Sequence, residues 1–346
     1  MSPCPVPTDL LPWALSCLGA VINEHTPALT VVAGDASNRR YFRLILAGQS
    51  YVVAEAPPAT EKNEAFLAVR EVLAGAGVKV PALYGADIER GYLLLEDLGD
   101  RLLLPELRVG SAERAYRPAF AVLRQIAAVD TAGLNIPAYD QALLGEELSR
   151  FPAWFVEALL GYSPNGEERD LLHRFYAKMI ASALEQPRVL VHRDFHSRNL
   201  MPQEGERLAV IDFQDAVVGP VTYDLVSLLR DCYIQWPAEQ VCDWALAQRD
   251  ALHAQGLLQA VDNARFLRWF DWMGLQRHIK VLGTFARLYL RDGKSAYLED
   301  LPLVIHYVRE ILNKYAGEEP VFDEFNSWFT GRISPLIARR DWSKKV

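Results

Sequence analysis

The chain has 346 residues, 51% hydrophobic and 23% charged, with a formal net charge of −8, a composition that suits a globular protein with room for two lobes or domains. The acidic balance argues against a nucleic-acid partner, which usually meets a basic face, and no apolar run reaches the length of a membrane helix. The opening MSPCPVPTDL lacks a basic segment ahead of an apolar one, so no secretion signal is expected and the cytoplasm is the expected compartment.

Cys4, Cys17, Cys232 and Cys242 are scattered without metal-type spacing and read as reduced thiols. Nothing in the sequence points to an obligate protein partner.

Thr8 or Asp9 can cap a first amphipathic helix running to about Asn23. ALTVVAG, RRYFRLILAG and SYVVAEA then read as three short strands broken at Gly34 and Gly48. Residues 61–74 place Ala65, Phe66, Val69, Val72 and Leu73 on one helical face. PALYGAD and GYLLLED read as two further strands. Beyond Gly99 the periodicity turns helical over 111–130, 142–160, 167–186, 222–233, 237–255, 260–290 and 296–315. Around 188–213 short strands and turns interrupt it. The expected organisation is an α+β, two-lobed fold, with a small β-rich lobe over 1–98 that ends in a hinge. A large helical lobe follows over 99–346, and a ligand is expected in the cleft between the two.

The chemistry concentrates in the interruption. His192-Arg193-Asp194 is followed by Asn199, the H-R-D-x-x-x-x-N spacing of a kinase catalytic loop. A carboxylate at 194 can accept or orient the proton of an attacking hydroxyl. Five residues on, an amide oxygen can ligate Mg²⁺ without adding negative charge beside that base. Asp212 ends the apolar run Leu208–Ile211 and precedes Phe213, where the D-F-G aspartate of a kinase holds Mg²⁺. The third residue here is Gln214. The alternative reading is that Asp194 and Asp212 only cap turns.

VHRDFHSRNL, IDFQDA and G-P-x-x-Y-D-L (Gly219 to Leu225) together resemble the aminoglycoside phosphotransferase family, which includes choline and homoserine kinases. GYLLLEDLG (Gly91 to Gly99) is similar to that family's hinge. The resemblance implies a protein-kinase-like fold, ATP and Mg²⁺ as cofactors, Asp194 as catalytic base, and Asn199 and Asp212 as metal ligands. It also implies that Glu96 and Leu98 offer backbone groups to adenine, and that Asp224 anchors the catalytic loop. Within the family, RRYFRL, the stretch Asp212 to Tyr233, and GLQRHIKVLG (Gly274 to Gly283) resemble the anomeric amino-sugar kinases of bacterial cell-wall recycling. That resemblance implies transfer to the C1 hydroxyl of N-acetylmuramate or N-acetylglucosamine. An aminoglycoside or other small-alcohol kinase, and a nucleotide-binding pseudokinase, stand as alternatives.

The departures are specific. AGDASNRRY replaces the glycine-rich phosphate loop, leaving Ser37, Asn38 and backbone amides as candidate phosphate contacts. Glu55 stands where the phosphate-binding strand lysine belongs. Arg43 is the expected replacement cation, ahead of Arg39 and Arg40. Arg230, Asp231, Arg277 and His278 are the expected polar groups of the acceptor pocket, with interhelix salt bridges as their alternative role.

Overall fold

A computed structural model of the protein describes residues 5–21, 28–32 and 38–344. The chain separates into two compact units, one holding residues up to Gln125 with Arg198–Ala216, the other Ile126–Ser197 with Val217–Val346. The sequence reading drew its boundary after residue 98; residues 99–125 and 198–216 group with the strands before it. Backbone bonds make the attachment: Val210 donates to the Lys79 carbonyl at 2.9 Å and Leu103 to that of Leu200 at 2.8 Å.

The first unit opens with α1 (Leu10–Cys17). It continues with β1 (Thr30–Val31), β2 (Arg40–Leu46), β3 (Gln49–Glu55), α2 (Asn63–Gly75), β4 (Leu83–Asp87) and β5 (Tyr92–Glu96). The strands form one antiparallel sheet in the order β1-β2-β3-β5-β4. Alternation along each strand puts Phe42, Leu44, Val53, Tyr92 and Leu94 in one cluster with Leu10, Trp13, Ala14 and Leu15 of α1. β5 lies inside the sheet and buries Tyr92 to Leu95 without a break, which explains its uninterrupted apolar run. α2 buries Phe66, Val69 and Leu73, and Phe66 stacks on Phe213 with ring centroids 4.9 Å apart. The same unit takes in the hairpin of β7 (Leu200–Pro202) and β8 (Leu208–Val210).

The second unit is mostly helical. Its elements are α4 (Gln141–Arg150), a π-helical turn (Phe151–Leu159), α5 (Gly166–Leu184), α6 (Tyr223–Leu229), α7 (Ala238–Ala254), α8 (Asn263–Asp292), α9 (Tyr297–Lys314), α10 (Pro320–Trp328) and α11 (Ser334–Ile337). α3 (Ala112–Ala127) joins the units along the chain. β6 (Arg188–Val191) and β9 (Val217–Pro220) pair antiparallel, and β9 leads directly into α6. α8, 30 residues long, is buried along most of its length. Gly283 permits this, because a Cβ there would stand 2.3 Å from the Arg150 carbonyl carbon.

Three elements differ from expectation. The first helix stops at Cys17, two residues before Gly19, which takes φ 67°, a left-handed stop signal. The stretch expected to be one helix over 142–160 changes to π-helical form at Phe151–Leu159, with Pro152 in its first turn. Helical structure also continues past 315, through α10 and α11, whose Phe322, Phe325 and Trp328 fill the core. Cys17, Cys232 and Cys242 are free thiols; Cys4 and Ser37 lie outside the described residues.

Gly91 sets the turn before β5. Its φ is 73° and a Cβ would meet the Ala56 carbonyl oxygen at 2.1 Å. Gly91→Ala should therefore cost at least about 2 kcal/mol, from left-handed strain plus displacement of the Ala56 chain. Urea unfolding measures it, and an unchanged midpoint would show that the turn relaxes freely.

Candidate active site

The catalytic-loop motif is shared by chain membership: Asp194 belongs to the helical unit, Asn199 and Asp212 to the strand-rich one.

In the helical unit, Asp224 in the first turn of α6 accepts from the backbone N–H groups of His192 (2.6 Å) and Arg193 (3.0 Å). This is the anchoring role expected of it. Burial pushes its carboxyl up to about 7, against the pull of those two bonds. Arg193 takes φ 76°, an uncommon state for a non-glycine residue that surrounding contacts must hold. The next holding contact is its guanidinium, which is paired with the fully buried Glu147 of α4. Glu147 also receives Lys280 Nζ of α8 at 3.1 Å and the Tyr139 hydroxyl. Lys280 donates in addition to the Tyr223 hydroxyl at 3.0 Å. Burial opposes ionisation of Glu147, yet the charges of Lys280 and Arg193 hold it down to about 2.

Asp194 sits above this lattice in sequence, half-buried. Burial works to raise its carboxyl; Lys280, His196, Arg193 and Arg277 outweigh it and keep the group below its ordinary value. An ionised carboxylate at this position can orient a hydroxyl and accept its proton. Ser197, three residues on, donates through its backbone (2.9 Å) and hydroxyl to Asp231.

The residues expected in the acceptor pocket make contacts inside the helical unit. Asp231 is fully buried and also accepts from Tyr233 N–H at 3.3 Å, so it holds the loop's end. Arg230 pairs with Asp271 at 2.6 Å, and Asp271 also binds Lys314 (2.6 Å) and Tyr315 (2.8 Å). Arg230 is therefore an interhelix strut. His278 stacks on Tyr307 and faces the Arg230 carbonyl at 3.0 Å; burial and Arg277 drive its pKa down to about 3, so it is a neutral packing residue. Arg277 differs from the other three. Among the described residues its hydrogen bond is to the Cys232 sulfur at 3.5 Å, and it lies within the field of Asp194 and Asp231.

In the strand-rich unit, Asn199 Nδ2 donates to Asp212 Oδ2 at 3.2 Å, and Gln214 Nε2 donates to Oδ1 at 2.7 Å. The residue in place of glycine thus positions the carboxylate. Asp212 takes φ 66°, the second strained residue of the motif. One amide oxygen and one carboxylate are hard donors that fit Mg²⁺, which keeps its other positions for water and phosphate.

The arginines of RRYFR are each committed. Arg39, buried, pairs with Glu61 at 3.1 Å and lies over the Phe66 ring. Arg40 pairs with Glu55 directly across the β2–β3 ladder. Arg43 bonds Asp97 at 2.6 Å and Asp100 at 2.9 Å. Arg40 is thus the residue that balances Glu55, and Arg43 is tied to the segment after β5. Its guanidinium is already saturated by two carboxylates. The Asn38 backbone N–H donates to Glu61 at 3.1 Å. Glu96 N–H donates to the Ala82 carbonyl at 2.8 Å, its carboxylate holds Lys79 at 2.5 Å, and Leu98 accepts from Gln203 at 3.3 Å. Lys62, which lies on no strand, reaches Asp215 at 2.7 Å, a partner 153 residues away in the chain.

The model of the phosphotransferase enzyme family matches residues 28–269. The chain belongs to that family. It is 42% identical over 302 residues to the N-acetylmuramate/N-acetylglucosamine kinase of Pseudomonas aeruginosa, covering 86% of this chain and 89% of that protein. The protein of the same name from Pseudomonas putida is 40% identical over 287 residues, covering 83% and 84%. Among solved structures, an ADP-bound aminoglycoside phosphotransferase superposes with a TM-score of 0.58 at 13% identity, covering 88% of this chain and 99% of that one. The fold is the protein-kinase-like one expected. Among the described residues no helix is long and apolar enough to cross a membrane.

Glu147 carries the electrostatics of the loop. Glu147→Ala should destabilise by about 3–5 kcal/mol, the cost of stripping a buried ion group of one partner, because Arg193 and Lys280 would remain buried without it. Chemical denaturation at pH 7 checks this; a loss under about 1 kcal/mol would mean that the lattice relaxes or hydrates.

Proposed function

We propose that this phosphotransferase moves the γ-phosphate of ATP, as its Mg²⁺ complex, to the anomeric hydroxyl of N-acetylmuramate or N-acetylglucosamine. The observation that carries the reading is the ionised Asp194 on a loop pinned by Asp224 and Glu147, joined to two relatives of that name at 40% identity or more. A pseudokinase has no need to hold that carboxylate ionised.

Asp194 orients the acceptor hydroxyl and takes its proton. An anomeric hydroxyl is more acidic than an ordinary alcohol, so a carboxylate below its usual pKa suffices, and positioning does most of the work. Asn199 and Asp212 would hold Mg²⁺, which neutralises charge on the phosphates when bound. The Leu98 N–H and the Glu96 carbonyl are the backbone groups we assign to adenine. Lys62 and the Asn38 region are the phosphate-side candidates. Of the two arginines expected in the acceptor pocket, Arg277 forms no ion pair among the described residues, and it is the group we assign to an acceptor carboxylate.

Asp194→Asn should retain MgATP binding by calorimetry and lose turnover by about 10² or more. Near-normal turnover would remove Asp194 from the chemistry.

The acceptor is tested by comparing N-acetylmuramate and N-acetylglucosamine with their 1-O-methyl glycosides in a phosphate-transfer assay. Methylation removes the proposed nucleophile and leaves the other hydroxyls. Transfer to the free sugars alone is expected; equal transfer to the glycosides would exclude C1, and better turnover of an aminoglycoside would reassign the substrate.

A further inference from the structure

Beyond Lys280, α8 carries a second polar stripe that phosphotransfer does not use. Thr284, Arg287 and Arg291 follow at three- and four-residue steps and share one helical face. Gly283 presses against the chain at Arg150 and Phe151, with the position of a Cβ 2.5 Å from the Arg150 oxygen. This brings the end of α4, and Arg150 with it, to the same stretch of α8.

The cations of this stretch are unequally served. Arg150 is bonded to Glu146 at 2.9 Å, and Arg291 to the adjacent Asp292 at 2.7 Å. Arg287 makes no ion pair among the described residues, and its Nε is buried without a hydrogen-bond partner. One turn earlier the Thr284 hydroxyl is also buried and unpartnered. Burial and the charges of Arg150 and Arg291 push the pKa of Arg287 down, with Asp292 and Glu146 opposing only in part. Counting Arg150, Arg287 and Arg291 against Glu146 and Asp292 leaves one positive charge in excess. A half-buried guanidinium in such a place lacks its counter-ion.

We propose that Arg287, with Arg291, Arg150 and the Thr284 hydroxyl, forms an anion site separate from that of Asp194, and that it takes a phosphate dianion, free or as a small monoester. Guanidinium groups match phosphate oxygens in pairs. Three terminal oxygens offer more acceptors than a single carboxylate, which suits donors arriving from Arg287, Arg291 and Thr284. The site does not depend on the acceptor assigned above.

The test uses the full chain, with arginine side-chain ¹⁵N NMR at constant ionic strength. Inorganic phosphate and glucose 1-phosphate are titrated separately against chloride. A saturable shift of the Arg287 Nε–Hε signal is expected, preserved in Asp212→Asn, where the proposed metal site is impaired. In Arg287→Gln binding should weaken about ten-fold or more, the loss of a charge-assisted bond, with basal phosphotransfer unchanged. If that variant does not fold, the exposed Arg291→Gln replaces it, with about three-fold weakening expected for a partial loss of the same contacts. Tighter glucose 1-phosphate identifies a monoester site, and tighter phosphate a site for the free ion. A shift that tracks ionic strength alone, or one equal in wild type and variant, overturns the proposal.

Discussion

The contact on which the helical unit depends is the buried pairing of Glu147 with Arg193 and Lys280. Taking these groups out of water costs several kcal/mol each unless every one finds partners. The structure supplies them from different elements: Glu147 from α4, Lys280 from α8, Arg193 from the loop after β6. The Tyr139 and Tyr223 hydroxyls complete the set. Remove Glu147 and two buried cations lose their shared partner, so the elements are coupled in a way that apolar packing alone would not couple them. Arg193, held at both its backbone by Asp224 and its guanidinium by Glu147, can keep a φ of 76° that no isolated loop would hold. The direction of Asp194 follows from that strained neighbour, and its ionisation follows from the cations beneath it.

α8 shows how such a lattice is hidden in sequence. Asp271, Gln276, Arg277, His278 and Lys280 are all buried, although a polar cluster mid-helix ordinarily marks a solvated face. The two cases share one pattern of residues and differ only in what the fold brings opposite. Asp271 meets Arg230, Lys314 and Tyr315; Lys280 meets Glu147, 133 positions earlier in the chain. His278 is an aromatic packing partner of Tyr307. A reading that treats each as a surface or ligand group lacks the far partner, and no local propensity supplies it.

The legible features were those whose cause is local. β2 and β3 were legible from their β-branched and aromatic residues and β5 from its unbroken apolar run, which the sheet buries on both faces. H-R-D-x-x-x-x-N and the following aspartate were legible because loop chemistry fixes residue type and spacing together. Asp224 was legible through family resemblance and is seen holding two backbone N–H groups. For Arg43, Arg230 and Asp231 the sequence shows the charge and not the distant group that meets it; for Arg230 that group is Asp271, the interhelix pairing that stood as the alternative reading. Arg43 finds Asp97 at a separation of 54 residues, and Asp231 finds Ser197 at 34. The C-terminal α10 and α11 are harder to read because their apolar residues lie close to the start at Pro320 and to a π-helical turn at Phe329–Ile333, where the helical period is disturbed.

The glutamate at the strand-lysine position becomes intelligible in the same terms. A lone carboxylate on β3 would repel a nucleotide's phosphates. Glu55 is not alone: β2 and β3 pair in register Arg40 with Glu55, so the ladder itself neutralises the charge. One position along the same strand order, Arg39 turns inward to Glu61 and stacks on Phe66, while Arg43 turns to Asp97. Alternation sends successive side chains to opposite faces, and each of these arginines meets a carboxylate on its own side. The unit has thus exchanged one lysine aimed at phosphate for a set of internally balanced pairs. Asn199 beside Asp212 and Lys62 beside Asp215 lie outside the sheet. The strand keeps its register and its packing.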